Sequence, residues 1–209
     1  MDKATVVDHP LVQHKLTLLR QKDRSTKDFR ELLNEIGTLL CYEVTRDLPL
    51  QIIEVETPLA KMKSPVLAGK KLVFVPVVRA GLGLLEGMLQ LIPSARVAHI
   101  GLYRDPRTLG TVEYFFKVPD DMAERMALLL QPVLATSNSA VAAVDRLKEA
   151  GAREVRIVCV LSTAAALNRV RERHSDVRIW TAAIDEGINE QGYILPGLGD
   201  VGDRVYGTR

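Results

Sequence analysis

Phosphate groups are best held by a short loop that leaves backbone N–H groups free at the start of a helix. Residues Gln131-Pro132-Val133-Leu134-Ala135-Thr136-Ser137-Asn138-Ser139 have the composition of such a loop. The hydroxyls of Thr136 and Ser139 add donors that reach phosphate oxygens. A strand-to-helix connection that binds nothing, its small polar residues serving only as caps, would look the same. Arg79 follows an apolar run, 72–78, and precedes an expected helix. A guanidinium at a strand's C-terminal end, just before a helix, stands where open α/β sheets take ligands. A plain surface arginine is the alternative. Gly81 and Gly83 are too close together to make a dinucleotide-binding fingerprint. The chain offers no nucleophile–base motif.

The elements that would hold these residues are legible from hydrophobic periodicity. Met126–Leu130 is an unbroken apolar run suited to a strand covered on both faces. Val141, Val144 and Leu147 then recur at helical spacing, and Gly151 follows as a stop. Upstream, a helix is expected through Leu16, Leu19 and Arg20. A second is expected after a Ser25–Asp28 cap, with its stripe on Phe29, Leu32, Leu33, Ile36, Leu39 and Leu40. Lys15, Arg20, Lys22, Arg24 and Arg30 read as a solvated basic face, with an interaction surface as the alternative. Residues 52–57 suit an edge strand or a hairpin arm. Strands are expected at 72–78, 96–103, 155–161 and 178–184, and helices at 84–91 and 162–173. Residues 112–117 look like one arm of a hairpin turning at 108–111, either a flap over a site or an ordinary surface hairpin. The repeated strand–loop–helix rhythm predicts a mostly parallel sheet with right-handed crossovers. The tail holds Gly192, Gly197, Gly199 and Gly202, which disfavour regular structure and let backbone approach a flat ligand.

The 209 residues suit one α/β domain, 1–209, and 47% apolar residues suffice for a full core. The net charge of +2 leaves no nucleic-acid footprint. Cys41 and Cys159 sit in unrelated apolar stretches and read as buried thiols in a reducing compartment. The N-terminal stretch lacks a signal-peptide pattern and no apolar run is long enough to span a bilayer, so a cytoplasmic location is expected.

Several segments, DHPLVQHKLTLLR, STKDFRELL, VETPLA, GKKLVFVPVVRAG, LIPSARVAHIGLYRDP, VEYFFK, TAAIDEG and YILPGLGDVGDRVYGT, together resemble the bacterial uracil phosphoribosyltransferases. The resemblance implies a type I phosphoribosyltransferase fold: a mostly parallel central sheet flanked by helices, with a β-hairpin arm or flap. It implies transfer of ribose 5-phosphate from phosphoribosyl pyrophosphate (PRPP) to uracil, giving UMP and pyrophosphate. Arg79 and Arg104 would then hold the pyrophosphate, with Mg²⁺ carried in by the substrate. Gln131, Pro132, Val133, Leu134, Ala135, Thr136, Ser137, Asn138 and Ser139 would cradle the 5′-phosphate and the ribose. Ile194, Gly199, Asp200 and Val201 would meet uracil, and Asp200 would also face PRPP. A homodimer or larger homo-oligomer is implied, with GTP as an activator in some members, and neither a nucleic acid nor a membrane as partner.

The chain departs from the family pattern at two places. Where the family has Asp-Pro-Met-Leu-Ala-Thr-Gly-Gly-Ser, an acid is replaced by Gln131 and a glycine pair by Ser137-Asn138. Where it has Ala-Ala-Pro-Glu-Gly, the chain has Ser162-Thr163-Ala164-Ala165-Ala166. A residue other than glycine in a left-handed conformation costs about 1–2 kcal/mol, and side chains at 137 and 138 could plug the phosphate hollow. Two functions are therefore carried forward: a working transferase with an altered loop, and a silent relative that binds a nucleotide or a partner. An RNA-binding regulator on this fold is disfavoured by the charge.

Overall fold

The computed structural model describes residues 4–69, 72–104 and 110–208, except for the side chain of Arg104. In chain order the elements are β1 (Ala4–Val6), α1 (Pro10–Arg20), α2 (Thr26–Val44), β2 (Leu50–Glu56), β3 (Lys61–Leu67), β4 (Val73–Val78) and α3 (Leu82–Leu91). Then come β5 (Arg96–Val97), β6 (His99–Arg104), β7 (Thr111–Lys117), β8 (Met126–Leu130), β9 (Val133–Leu134) and α4 (Asn138–Glu149). The chain ends with β10 (Glu154–Thr163), α5 (Ala164–Arg173), β11 (Arg178–Asp185), β12 (Gly187–Ile188), β13 (Ile194–Leu195) and α6 (Val201–Tyr206).

The main sheet runs β1-β11-β10-β8-β4-β6-β7, with β5 beside β4 and β9 beside β10. Its pairs are parallel except β6–β7, as the strand–helix rhythm predicts. β4 and β8 are apolar without alternation because both faces are covered. α1, α2, α3 and α6 pack one face through Leu16, Phe29, Leu33, Leu84 and Val205, and α4 and α5 pack the other through Val144, Leu147, Leu167 and Val170. β2 and β3 form a separate two-stranded arm.

Four local readings change. The 96–103 run divides, because β5 pairs with the start of β4 and β6 with its end. β10 continues through Ser162, which pairs with Leu134 and Ile184 on its two sides, so α5 begins only at Ala164 with Thr163 as its cap. The glycine-rich tail contains a helix, since the Asp200 carboxylate caps the amide of Asp203. The basic run is not one solvated face. Arg20 is ion-paired to Asp185, Arg24 donates to the Leu18 carbonyl and Lys15 pairs with Glu35. The 108–110 part of the expected flap turn falls largely outside the described residues.

Candidate active site

β4 and β8 are neighbours, yet the chain leaves them in opposite directions. From β4 it passes through α3 to β5 and β6; from β8 it passes through α4 to β10 on the far side. A crevice opens at the C-terminal ends of strands where connections diverge in this way. A cavity of about 230 Å³ lies there, lined by Val77–Ala80, Gln131–Val133, Ser139, Tyr193 and Gly199–Gly202. It shares Tyr193, Gly199 and Asp200 with a hollow of about 480 Å³ that also meets Lys22, Arg24 and Arg204. The turn after β4 must come very close to the end of β8. A Cβ on Gly81 would stand 2.3 Å from the Leu130 carbonyl oxygen, so only glycine fits. The peptide joining Val78 to Arg79 is cis.

Of the six α-helices among the described residues, four begin under a side-chain cap: α1 under His9, α2 under Ser25, α5 under Thr163 and α6 under Asp200. The two without one are α3, which starts after Gly81, and α4, which starts after Ser137. Both open at the crevice. The first amides of α3 are already taken, since Leu82, Gly83 and Leu84 donate to the carbonyls of Arg79, Ala80 and Gly81. Those of α4 before Val141 have no such backbone bond, and there the helix dipole favours an incoming anion.

Ser137 decides whether the α4 start is open. Its φ of 59° is left-handed, so the altered residue carries the strain expected of a replaced glycine. Its hydroxyl points into the protein and donates to the Ala166 carbonyl at 3.1 Å, leaving the residue only 3% exposed. Asn138 lines a different groove, with Thr111, Val141, Asp145 and Arg169. Neither side chain lines the crevice cavity.

Arg79 is held on three sides. A guanidinium nitrogen lies 3.4 Å from Asp203 Oδ1, and the group stands 5.9 Å from the Tyr206 ring centre. The Tyr206 hydroxyl donates to the Arg79 carbonyl at 3.1 Å. Burial lifts the Tyr206 phenol above its ordinary range, opposed by the Arg79 charge. Gln131 presents a buried Oε1 without a hydrogen-bond partner among the described residues, as does the buried Ser162 Oγ. An unpaired buried acceptor at a cavity wall is a place for a ligand hydroxyl.

The comparisons with known proteins bear on the whole chain. The uracil phosphoribosyltransferase family profile matches residues 6–208. The chain belongs to that family. The uracil phosphoribosyltransferase of Bradyrhizobium diazoefficiens is 63% identical over 209 residues, all of both chains. The AQ2163 protein from Aquifex aeolicus superposes with a TM-score of 0.93 at 35% identity, over 98% of each chain. A hypoxanthine-guanine phosphoribosyltransferase from Bacillus anthracis has a TM-score of 0.53 at 9% identity, covering 77% of this chain and 82% of its own. That distant likeness shows a shared fold. The type I phosphoribosyltransferase architecture expected from the resemblance is therefore the one observed.

The crevice of this family member brings together Arg79, Gln131, Pro132, Val133, Ser139, Gly199, Asp200 and Val201. The remaining expected residues stand differently. Leu134 and Ile194 turn their side chains into the core, and Thr136 is exposed. Ala135 is half-buried beside the core. Arg104 ends β6, next to β4, but its side chain lies outside the described residues. Val77, Val78, Ala80, Tyr193 and Gly202 were missed, although all five lie within segments that carry the resemblance. Among the described residues no group of three or more His, Cys, Asp or Glu is placed to hold a metal ion. No helix of the described residues is long and apolar enough to cross a membrane.

Proposed function

We propose that the crevice takes PRPP with its 5′-phosphate on the first amides of α4 and its pyrophosphate at Arg79 and Arg104, and takes uracil against Ile194 and Gly199–Val201. The chain is a uracil phosphoribosyltransferase, and this assignment says which residues do the work. The bond from C1′ to pyrophosphate breaks, the bond from C1′ to uracil N1 forms, and the N1 proton leaves to pyrophosphate or water. The ribose passes through a cation-like state, so the residues act by holding charge in place rather than by attacking. Mg²⁺ on the diphosphate supplies further charge neutralisation, with Asp200 the carboxylate at the cavity wall. Gln131 offers its unpaired Oε1 to a ribose hydroxyl. Backbone N–H and C=O groups of residues 194–201 would match the polar edge of uracil and leave the amino group of cytosine without an acceptor.

The observation that carries this reading is the uncapped start of α4, with Ser137 turned away onto Ala166. It favours a working enzyme over a silent relative, because the altered residues do not fill the hollow. Initial rates of UMP formation from uracil, PRPP and Mg²⁺ test it. Turnover is expected, with cytosine a poor substrate. Absence of UMP from folded protein would favour the silent relative. The arm of β2 and β3 exposes Leu50, Ile52, Leu59 and Met62, which supports assembly with a second copy. Adding GTP to the same assay tests activation.

A further inference from the structure

Base recognition in the proposed site depends on a turn that lies outside the main sheet. β13 leads through a cis Leu195–Pro196 peptide to Gly197, whose φ is +64°, and then to Leu198 and Gly199. A Cβ on Gly197 would fall 2.0 Å from the Ile194 carbonyl oxygen, so the turn closes tightly on itself. Both backbone polar groups of Gly197 are taken by one ion pair. Its N–H donates to Asp185 Oδ2 at 3.0 Å, and its carbonyl accepts from an Arg20 guanidinium nitrogen at 3.1 Å. Arg20 grips Asp185 through two parallel bonds of 2.8 and 2.7 Å, the geometry that only a guanidinium fork makes.

The pair is well placed to hold something still. Asp185 has a side chain only 6% exposed and ends β11, a strand of the main sheet. Arg20 ends α1, which is docked on β11 by Gln13, whose amide donates to the carbonyls of Val7 and Ala182. From the other side Arg204 donates to the carbonyls of Leu198 and Leu19 while its guanidinium lies 4.3 Å from the Phe29 ring centre. The turn is thus held to the sheet and to α1 by two arginines, neither of which lines the 230 Å³ cavity.

We propose that Arg20 and Asp185 are positioning residues for base recognition. Their fork sets the place of Gly197 and hence of the Ile194 and Gly199–Val201 backbone groups, so that the pair governs uracil affinity and cytosine exclusion without touching either base. This rests on the reading that residues 194 and 199–201 receive uracil.

The test is steady-state kinetics on the full chain with Arg20→Gln, Arg20→Lys and Asp185→Asn, paired with hydrogen–deuterium exchange of residues 194–201. The KM for uracil should rise on the order of tenfold while that for PRPP stays within about twofold, and relative activity on cytosine should increase. Arg20→Lys, which keeps the charge without the fork, should fall between Arg20→Gln and the parent chain. Exchange should accelerate in 194–201 and stay unchanged in β8 and α4. An unchanged KM for uracil in a folded variant, or equal rises in both KM values, would overturn the proposal. If Arg20→Gln does not fold, Arg20→Lys and Asp185→Glu carry the same comparison. Failure of the parent chain to use uracil would instead overturn the site assignment. Unaltered exchange at 194–201 in Arg20→Gln would overturn the clamp whatever the substrate.

Discussion

The Ser137 hydroxyl donates to the carbonyl of Ala166 at 3.1 Å, a contact across 29 residues between the two segments that depart from the family pattern. Both changes therefore belong to one local arrangement. The strained serine at the head of α4 is tied to the first turn of α5, and the cradle is left clear on its other side.

Replacing Ser137 separates strain from contact. Ser137→Gly should relieve about 1–2 kcal/mol of left-handed strain and lose about 1 kcal/mol of hydrogen bond, leaving stability near that of the parent chain. Ser137→Ala keeps the strain and loses the same bond, so it should be less stable than the glycine variant by the strain alone, about 1–2 kcal/mol. Urea denaturation of the two variants measures the difference directly.

Gln131 supplies a neutral acceptor where the family has a carboxylate. A charge-assisted bond to a ribose hydroxyl is about twice as strong as a neutral one, so Gln131→Asp should raise kcat/KM for PRPP by roughly three- to tenfold. Gln131→Leu should lower it by at least the same factor. Equal rates for all three chains would place the ribose elsewhere.

Arg79 is carried by the C-terminal helix as much as by β4. Arg79→Ala should lower kcat/KM for PRPP by roughly ten- to hundredfold, the loss of one charge-assisted contact to phosphate. Tyr206→Phe keeps the ring beside the guanidinium but removes the 3.1 Å bond to the Arg79 carbonyl. It should raise the KM for PRPP by about two- to fivefold and leave that for uracil unchanged.

How far the sequence could be read depended on how local each signal was. The β8–loop–α4 unit was legible because an unbroken apolar strand and a helical stripe are patterns within a few residues. The direction of the Ser137 side chain was not, because its partner lies in α5. Arg20 read as solvated for a similar reason: Asp185 is 165 residues away. Helix α6 was hidden by glycines, one of which, Gly202, falls inside it. Arg79 and the 131–139 loop stood out because strand ends before helices are where open α/β sheets take ligands, and Arg79, Gln131, Pro132, Val133 and Ser139 line one cavity. Tyr206 was missed as a support of Arg79 because a tyrosine near a chain end carries no pattern of its own.

Asp47 offers a test by acid. It bridges the buried Arg156 and the half-exposed Arg178, and although burial pushes its carboxyl up, the two arginines hold it down at about 2. Because the folded value lies below the unfolded value of 3.8, the stabilisation is present above about pH 5 and disappears as pH falls towards 2. Asp47 is half exposed, so screening keeps the effect under about 1 kcal/mol. Asp47→Asn should flatten the acid limb of a melting-temperature profile over that window and lower stability at neutral pH.

The thiols should be silent in the folded chain. Burial pushes both Cys41 and Cys159 up to about 12, and both are shielded from solvent. A thiol reagent at pH 8 should label neither until denaturant is added. Rapid labelling of native protein would contradict their burial.

A crystal structure of the chain with UMP tests the central claim most directly. The 5′-phosphate should sit on the first amides of α4, with the Ser137 hydroxyl still directed at Ala166 and the base against residues 194–201. A phosphate bound elsewhere, or Ser137 swung into the cradle with UMP excluded, would contradict it.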